Sequence, residues 1–263
     1  MDAWSQLIDT FFNGQAMAQV IPDLLTVGLP NTLILSIASG VIGTVLGMIL
    51  AVMGISRNVV LRWLARIYTD IFRGLPAVII ILLIGIGLGP TVRQLTGSTN
   101  PYPLGILALS LLAAAYIGEI FRSGIQSVDK GQMEASRALG FSYGATMRLV
   151  IIPQGVRRVL PALVNQFISL IKDSSLVFFL GLLASQREIF RIGNDATSTT
   201  GNLSPLVAAG LLYLVLTVPL THLVNLIDRR LREGRRETTA SDTADTDDTA
   251  GTSPAGVTPG GQP

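Results

Sequence analysis

The sequence predicts an all-α membrane protein with five transmembrane helices, and three observations predict it. Only 14% of its 263 residues are charged against 49% apolar, where soluble domains carry about a quarter charged. Five apolar stretches recur along the chain, each near the roughly 20 residues of helix that cross a bilayer. The basic residues are also shared very unequally among the segments joining those stretches, the asymmetry that orients multispanning proteins.

The elements follow in order. Residues 1–25 place Trp4, Leu7, Ile8, Phe11 and Phe12 at helical spacing, an apolar stripe. With no basic n-region and no compact apolar run, the segment does not read as a cleaved signal peptide. An extracytoplasmic amphipathic helix on the outer leaflet is expected instead. Residues 26–232 form the transmembrane body. Its first span, about 26–55, has no charge and carries Ser36, Gly40, Gly43 and Gly47 on one face, a small-residue stripe that lets another helix approach closely. The second, about 74–90, is short unless it extends back over Tyr68–Arg73, and Pro76 is placed to start or kink it. Just before it, Asp70 and Arg73 have the i, i+3 spacing of a local ion pair.

The third span, about 102–121, ends near Glu119 and Arg122, another i, i+3 pair. The fourth, about 159–184, carries Asn165, Ser169, Lys172 and Asp173 at i, i+4, i+7 and i+8, one polar stripe on an apolar helix. Charges at membrane depth are costly and must be paired or used. Either the stripe lines a path, with Asp173 open to an ammonium group and Lys172 to a carboxylate, or it is a network that fixes packing. The fifth span, about 203–226, is uncharged, with His222 near its end in a structural role. Residues 233–263 follow as an acidic tail whose one large aliphatic side chain is Val257. So little apolar surface cannot offset the entropy of ordering, and disorder is expected.

Fifteen of the 19 basic residues lie between spans one and two, between three and four, or after five. Three (Arg93, Arg187 and Arg191) lie on the opposite side, and Lys172 lies within a span. The positive-inside rule therefore puts the N-terminus outside and the tail in the cytoplasm. The net charge of +2 conceals +6 over residues 1–237 and −4 beyond them.

Composition also excludes chemistry. No Cys and one His remove disulfides, thiolate zinc sites, cysteine nucleophiles and two-histidine motifs, so no metal or catalytic site is expected. Neither Lys130 nor Lys172, the two lysines, sits in a Gly-Lys-Ser/Thr context, so the phosphate-binding loop of an ATPase is missing. The chain binds no cofactor of its own on this reading, and any ATP and Mg must be used by a partner.

The long segment between spans three and four contains EASRALGFSYGATMRLVIIP, from Glu134 to Pro153. Glu134 suits a helix start, Gly140 a left-handed stop, and Pro153 the end of a second short helix. Together they predict a compact knob able to enter a partner's groove. Glu134, Ala135, Ser136, Gly140 and Pro153 resemble the EAA motif of bacterial ABC importer permeases, with Ser136 in place of the second Ala. The runs from Ala115 to Ser142 and from Ile151 to Val177, and more weakly Tyr68 to Ile79, resemble the polar amino acid permease subfamily. The likeness covers about residues 28–232.

The resemblance implies a type I ABC importer permease fold with a cytoplasmic coupling helix between spans three and four, in the bacterial cytoplasmic membrane. It implies three partners: an ATP-binding subunit whose cleft takes the EAA loop, a second permease as homo- or heterodimer, and an extracytoplasmic amino acid-binding protein. Such a subunit translocates a polar amino acid of the glutamine/glutamate or basic class. No nucleic acid enters. The alternative, an ion-coupled secondary transporter, usually shows an internal repeat, and none is visible. A membrane enzyme would need an acid–base cluster that the chain does not offer.

Overall fold

The computed structural model describes the backbone of residues 2–250, with side chains as far as Leu226 and that of Asp228. Every regular element among the described residues is helical. The chain divides into two compact units, residues 1–224 and 225–263. Five helical stretches among the described residues are long and apolar enough to cross a membrane: Ala3–Gly54, Ala77–Thr96, Tyr102–Gln126, Leu160–Leu180 and Ser204–Leu226.

Helix α1 (Ala3–Phe12) is followed by α2 (Gly14–Asp23), a wide turn at Leu24–Gly28, and α3 (Leu29–Gly54). In the wide turn the Leu29 N–H bonds five residues back, to the Leu24 carbonyl. Pro30 supplies the reason: it has no N–H, and its ring would crowd the carbonyl four residues back, so a looser turn relieves both problems. The expected boundary at residue 25 falls inside this continuous helical run, so it is not a structural break. Only α1 keeps the expected exposed stripe of Trp4, Leu7, Ile8, Phe11 and Phe12. Beyond it, Val20 and Leu24 are buried against Ile189, Ile192 and Ala209.

The centre of the first unit is α3 packed on α6 (Tyr102–Gln126). A Cβ on Gly43 would lie 2.7 Å from the Ala113 Cβ, and one on Gly47 would lie 2.9 Å from the Gly118 backbone nitrogen. The small-residue stripe therefore does what its pattern predicts, bringing the two backbones into contact. Ser39, between them, donates to the Ile106 carbonyl at 3.1 Å.

Span two differs from its expected limits. Helix α4 (Val59–Gly74) is capped by the Asn58 side chain, and α5 (Ala77–Thr96) begins after Pro76. Gly74 is thus a helix end, and α5 runs through Pro90 to a left-handed Gly97, φ 70°. The backward extension exists as the separate helix α4, packed against α6. Tyr68 donates its hydroxyl to the Leu111 carbonyl at 2.8 Å, and the Arg73 guanidinium stacks 5.5 Å over the Tyr116 ring. Tyr116 is ten residues before Gln126, about 15 Å along the helix, so α4 reaches deep beside this span.

Span four is a composite: α10 (Leu160–Asp173) tightens into a 3₁₀ turn over Ser174–Leu180 and stops at left-handed Gly181, φ 71°. Next come α11 (Ile189–Thr200) and α12 (Ser204–Ala250). The loop between them holds α1, with Leu203 donating its N–H to the Thr10 carbonyl at 3.0 Å. In the second unit the backbone is helical to Ala250, where the sequence alone suggests a disordered tail from residue 233. No proline interrupts the chain between Pro219 and Pro254, and extending an existing helix avoids the cost of nucleation. The rest of that expected tail, 251–263, lies outside the described residues.

Candidate functional site

The knob between spans three and four is built from α7 (Lys130–Ala138), α8 (Tyr143–Thr146), a second wide turn at Met147–Ile151, and α9 (Ile152–Arg158). Asp129, not Glu134, caps α7, its carboxylate accepting from the Gly131 N–H at 2.7 Å. Glu134 and Ala135 lie mid-helix and exposed, while Ser136 is buried at 8% and donates back to the Gln132 carbonyl. A small residue suffices there, so the Ser in place of Ala fits. Gly140 adopts φ 87°, and the Phe141 N–H closes onto the Ser136 carbonyl at 3.2 Å, ending α7 as its glycine predicts.

Pro153 does not end the second helix. It lies in the first turn of α9, and the wide turn before it, with the Ile152 N–H bonded to the Met147 carbonyl, accommodates its ring as at Pro30. The knob packs on Ile125 and Val128 through its own Ile151, and Arg57 stacks 4.8 Å over Tyr143. Its outer surface keeps Leu139 at 80% and Leu149 at 61% exposed, and Glu134 is exposed as well.

The polar stripe of α10 is where the sequence places it but is not inside this chain. Asn165 and Lys172 are exposed, and Ser169 and Asp173 are half-buried. Among the described residues the Lys172 side chain has no hydrogen bond or ion pair. Neighbouring residues show which side is covered: Ile168, Leu170 and Ile171 are buried, and Gly40 of α3 faces Phe167 and Leu170.

The structure assembles a charged pocket that the linear pattern does not reveal. It lies between α3, α4 and α6, holds about 300 Å³, and is lined by Arg62, Arg66, Asp70, Arg73, Glu119 and Arg122. The Arg122 Nε donates to Glu119 Oε1 at 2.7 Å, and its Nη2 reaches the same oxygen, so the expected local pair forms. Arg122 also donates to Gln126 at 3.0 Å. The expected Asp70–Arg73 pair does not form, because Arg73 turns to Tyr116. Asp70 is left without an ion pair among the described residues. None of Asn165, Ser169, Lys172 or Asp173 lines this pocket. Its α4 residues share one helical face by spacing, which the sequence could have revealed. Their meeting with Glu119 and Arg122 is a tertiary fact.

At the opposite end of α3 and α6 a buried cluster forms around Glu188, which is fully buried, unlike the exposed α4 charges of the pocket. Its carboxylate accepts from the Phe190 N–H at 2.6 Å, the Arg191 N–H at 2.7 Å and the Tyr213 hydroxyl at 3.2 Å. It thereby caps α11 and fastens it to α12. Burial pushes its carboxyl up to about 7, against the lowering influence of those bonds and of Arg191. Thr32 accepts from the Ile189 N–H at 3.2 Å, and Asn31 donates to the Ser185 and Arg187 carbonyls at 3.0 and 3.3 Å. Sequence reading missed this hub because Glu is not among the favoured capping residues. Among the described residues no cluster of three or more His, Cys, Asp or Glu could hold a metal.

Comparison with known proteins identifies this architecture. Residues 43–233 match the family described as the binding-protein-dependent transport system inner membrane component. The arginine transport system permease protein ArtQ of Bacillus subtilis is 38% identical over 213 residues, covering 81% of this chain and 94% of that protein. The glutamate/aspartate import permease protein GltK of Escherichia coli is 33% identical over 224 residues, covering 83% and 98%. The crystal structure of an amino acid ABC transporter with histidines superimposes with a TM-score of 0.70 at 33% identity, over 82% of this chain and 97% of that one. The MetNI methionine ABC transporter, at 22% identity and a TM-score of 0.66 over 77% and 94%, shares the fold. The chain is therefore a multispanning membrane protein of the binding-protein-dependent transport family, an amino acid ABC importer permease.

Proposed function

We propose that this permease carries a polar amino acid inward by alternating access, and that the charged pocket between α3, α4 and α6 receives the substrate. One observation carries the reading: guanidinium and carboxylate groups of both signs line a single pocket against the last turns of α6. An amino acid brings one ammonium and one carboxylate to match the two signs of charge in the lining. A volume of about 300 Å³ is at the small end of ligand pockets, which suits a single amino acid. Relatives named for arginine, glutamine and glutamate/aspartate transport support the substrate class.

The partners follow from exposed surfaces. On this reading the Glu134 end is cytoplasmic, in keeping with the fifteen basic residues on that side, and residues 233–263 emerge there. Glu134, Ala135 and Leu139 of the knob enter a cleft of the ATP-binding subunit, and closure of that cleft biases a two-state rearrangement of the spans. Asn165 and Lys172 cannot face lipid. We assign the exposed face of α10 to the translocation path, covered by a second permease, with Ser169 and Asp173 at its edge. Residues 1–25 lie on the outer side, where the amino acid-binding protein delivers.

The test is ATP-driven uptake by the reconstituted complex. Asp70→Asn and Arg66→Gln should cut uptake at least tenfold while the ATPase subunit still co-purifies. Glu134→Lys and Gly140→Pro should release that subunit. Uptake unchanged in both pocket variants removes the pocket from the path, and an ATPase retained by both loop variants removes the knob from coupling.

A further inference from the structure

We propose that the pocket selects an acidic amino acid and turns away a basic one. The inference rests on reading the pocket as the substrate site and adds the charge class of its occupant. Four guanidinium groups face two carboxylates in its lining, an excess of positive charge before any ligand enters. Arg62, Arg66 and Asp70 are exposed at the pocket, and the internal bonds decide which groups stay open to a ligand. Glu119 is taken by Arg122, which also holds Gln126, so that pair offers neither full charge to a ligand. Arg73 is committed to the face of Tyr116 at 5.5 Å.

The side chains of Arg62 and Arg66 and the carboxylate of Asp70 make no hydrogen bond or ion pair among the described residues. They share the pocket wall on α4, separated by one helical turn each. Two free guanidiniums and one free carboxylate are the complement of a molecule with two carboxylates and one ammonium. Asp70 takes the α-ammonium, while Arg62 and Arg66 take the α- and side-chain carboxylates, which guanidinium geometry suits. A glutamine satisfies one arginine fewer. An arginine or lysine would bring a second cation into a site that already has excess positive charge, with one free carboxylate for two cationic groups. Like-charge juxtaposition of this kind sets specificity by exclusion. The relative with the highest identity reported above is named for arginine, so the inference separates this chain from that relative's substrate.

The test measures binding to the purified permease–ATPase complex without the binding protein, so that the delivering protein does not make the choice. Radiolabelled L-glutamate is the probe, with L-aspartate, L-glutamine, L-arginine and L-lysine as competitors, on wild type, Arg66→Gln and Asp70→Asn. Co-purification of the ATPase subunit with each variant shows that it is folded. The expected result is competition by aspartate and none by arginine or lysine, with glutamate affinity about tenfold weaker or worse in both variants. Arginine or lysine binding as tightly as glutamate, and lost in Asp70→Asn, overturns the acidic preference while leaving the pocket as the site. Binding insensitive to both substitutions overturns the pocket itself. No bound amino acid at millimolar concentration overturns both.

Discussion

Replacing Gly140 and Gly144 by alanine adds the same methyl group four residues apart in the coupling knob, with opposite consequences expected. Neither new Cβ would meet another atom within 4 Å, so packing is absent from the comparison and only the backbone decides. Gly140 sits at φ 87°, where an L side chain meets the following carbonyl at a cost of roughly 1–2 kcal/mol. A less flexible unfolded chain returns about 0.4–1 kcal/mol, leaving a net loss near 1 kcal/mol. Gly144 lies inside α8, where alanine is favoured over glycine by about 1 kcal/mol. The two variants should therefore differ by about 2 kcal/mol in the local stability of residues 130–146, roughly thirtyfold in an opening equilibrium. Hydrogen exchange on the detergent-solubilised complex reads this directly at the amides of Leu139, Gly140 and Phe141, whose bonds close the end of α7. Protection should fall in Gly140→Ala and hold or rise in Gly144→Ala. Equal protection in the two variants would refute the claim that the left-handed glycine shapes the knob.

Other expectations follow from the packing and from the buried carboxylate. Gly47→Ala should lower the thermal midpoint of the complex through about 1–3 kcal/mol of overpacking, because the added Cβ would meet the Gly118 backbone at 2.9 Å. Gly87→Ala, with open space around it, should not lower it, and equal midpoints would count against the close α3–α6 contact. Tyr68→Phe removes the hydroxyl bond to the Leu111 carbonyl and should cost about 1 kcal/mol in the same melt. Glu188 has its carboxyl raised from 4.5 to about 7, so between those values the folded state binds the proton that the unfolded state has released. Its contribution is present below the lower value and is lost as pH rises through the upper one, by up to about 1.4 kcal/mol per pH unit. Melts of the wild type should fall over that window, and Glu188→Gln should flatten the fall; an unchanged slope would show that Glu188 does not titrate there.

What could be read from the sequence depended on whether one element or several set the outcome. The small-residue face of α3 was legible because Ser36, Gly40, Gly43 and Gly47 all lie on one helix, and steric size alone makes that face a contact. Gly140 was legible because its conformation is local. Pro153 was misread for a tertiary reason: a proline ends an isolated helix, but a helix held on Ile125 and Val128 through Ile151 can widen one turn and continue. The Asp70–Arg73 pair failed similarly, because Tyr116 on α6 offered Arg73 another partner.

The sequence by itself determined that this chain is a membrane protein with five apolar helices long enough to span, and that neither of its lysines sits in a Gly-Lys-Ser/Thr context. These properties depend on composition, run length and the presence or absence of a contiguous motif. The tertiary structure alone decided which charges meet. Arg62, Arg66 and Asp70 share a pocket with Glu119 and Arg122 because Gly43 and Gly47 bring α3 against α6 while Tyr68 and Arg73 bind α4 to α6. The α10 stripe, by contrast, stays on the outer face of the subunit because Ile168, Leu170 and Ile171 turn its other side inward. Charge interactions depend on distances between elements far apart in the chain, and those distances are set by packing.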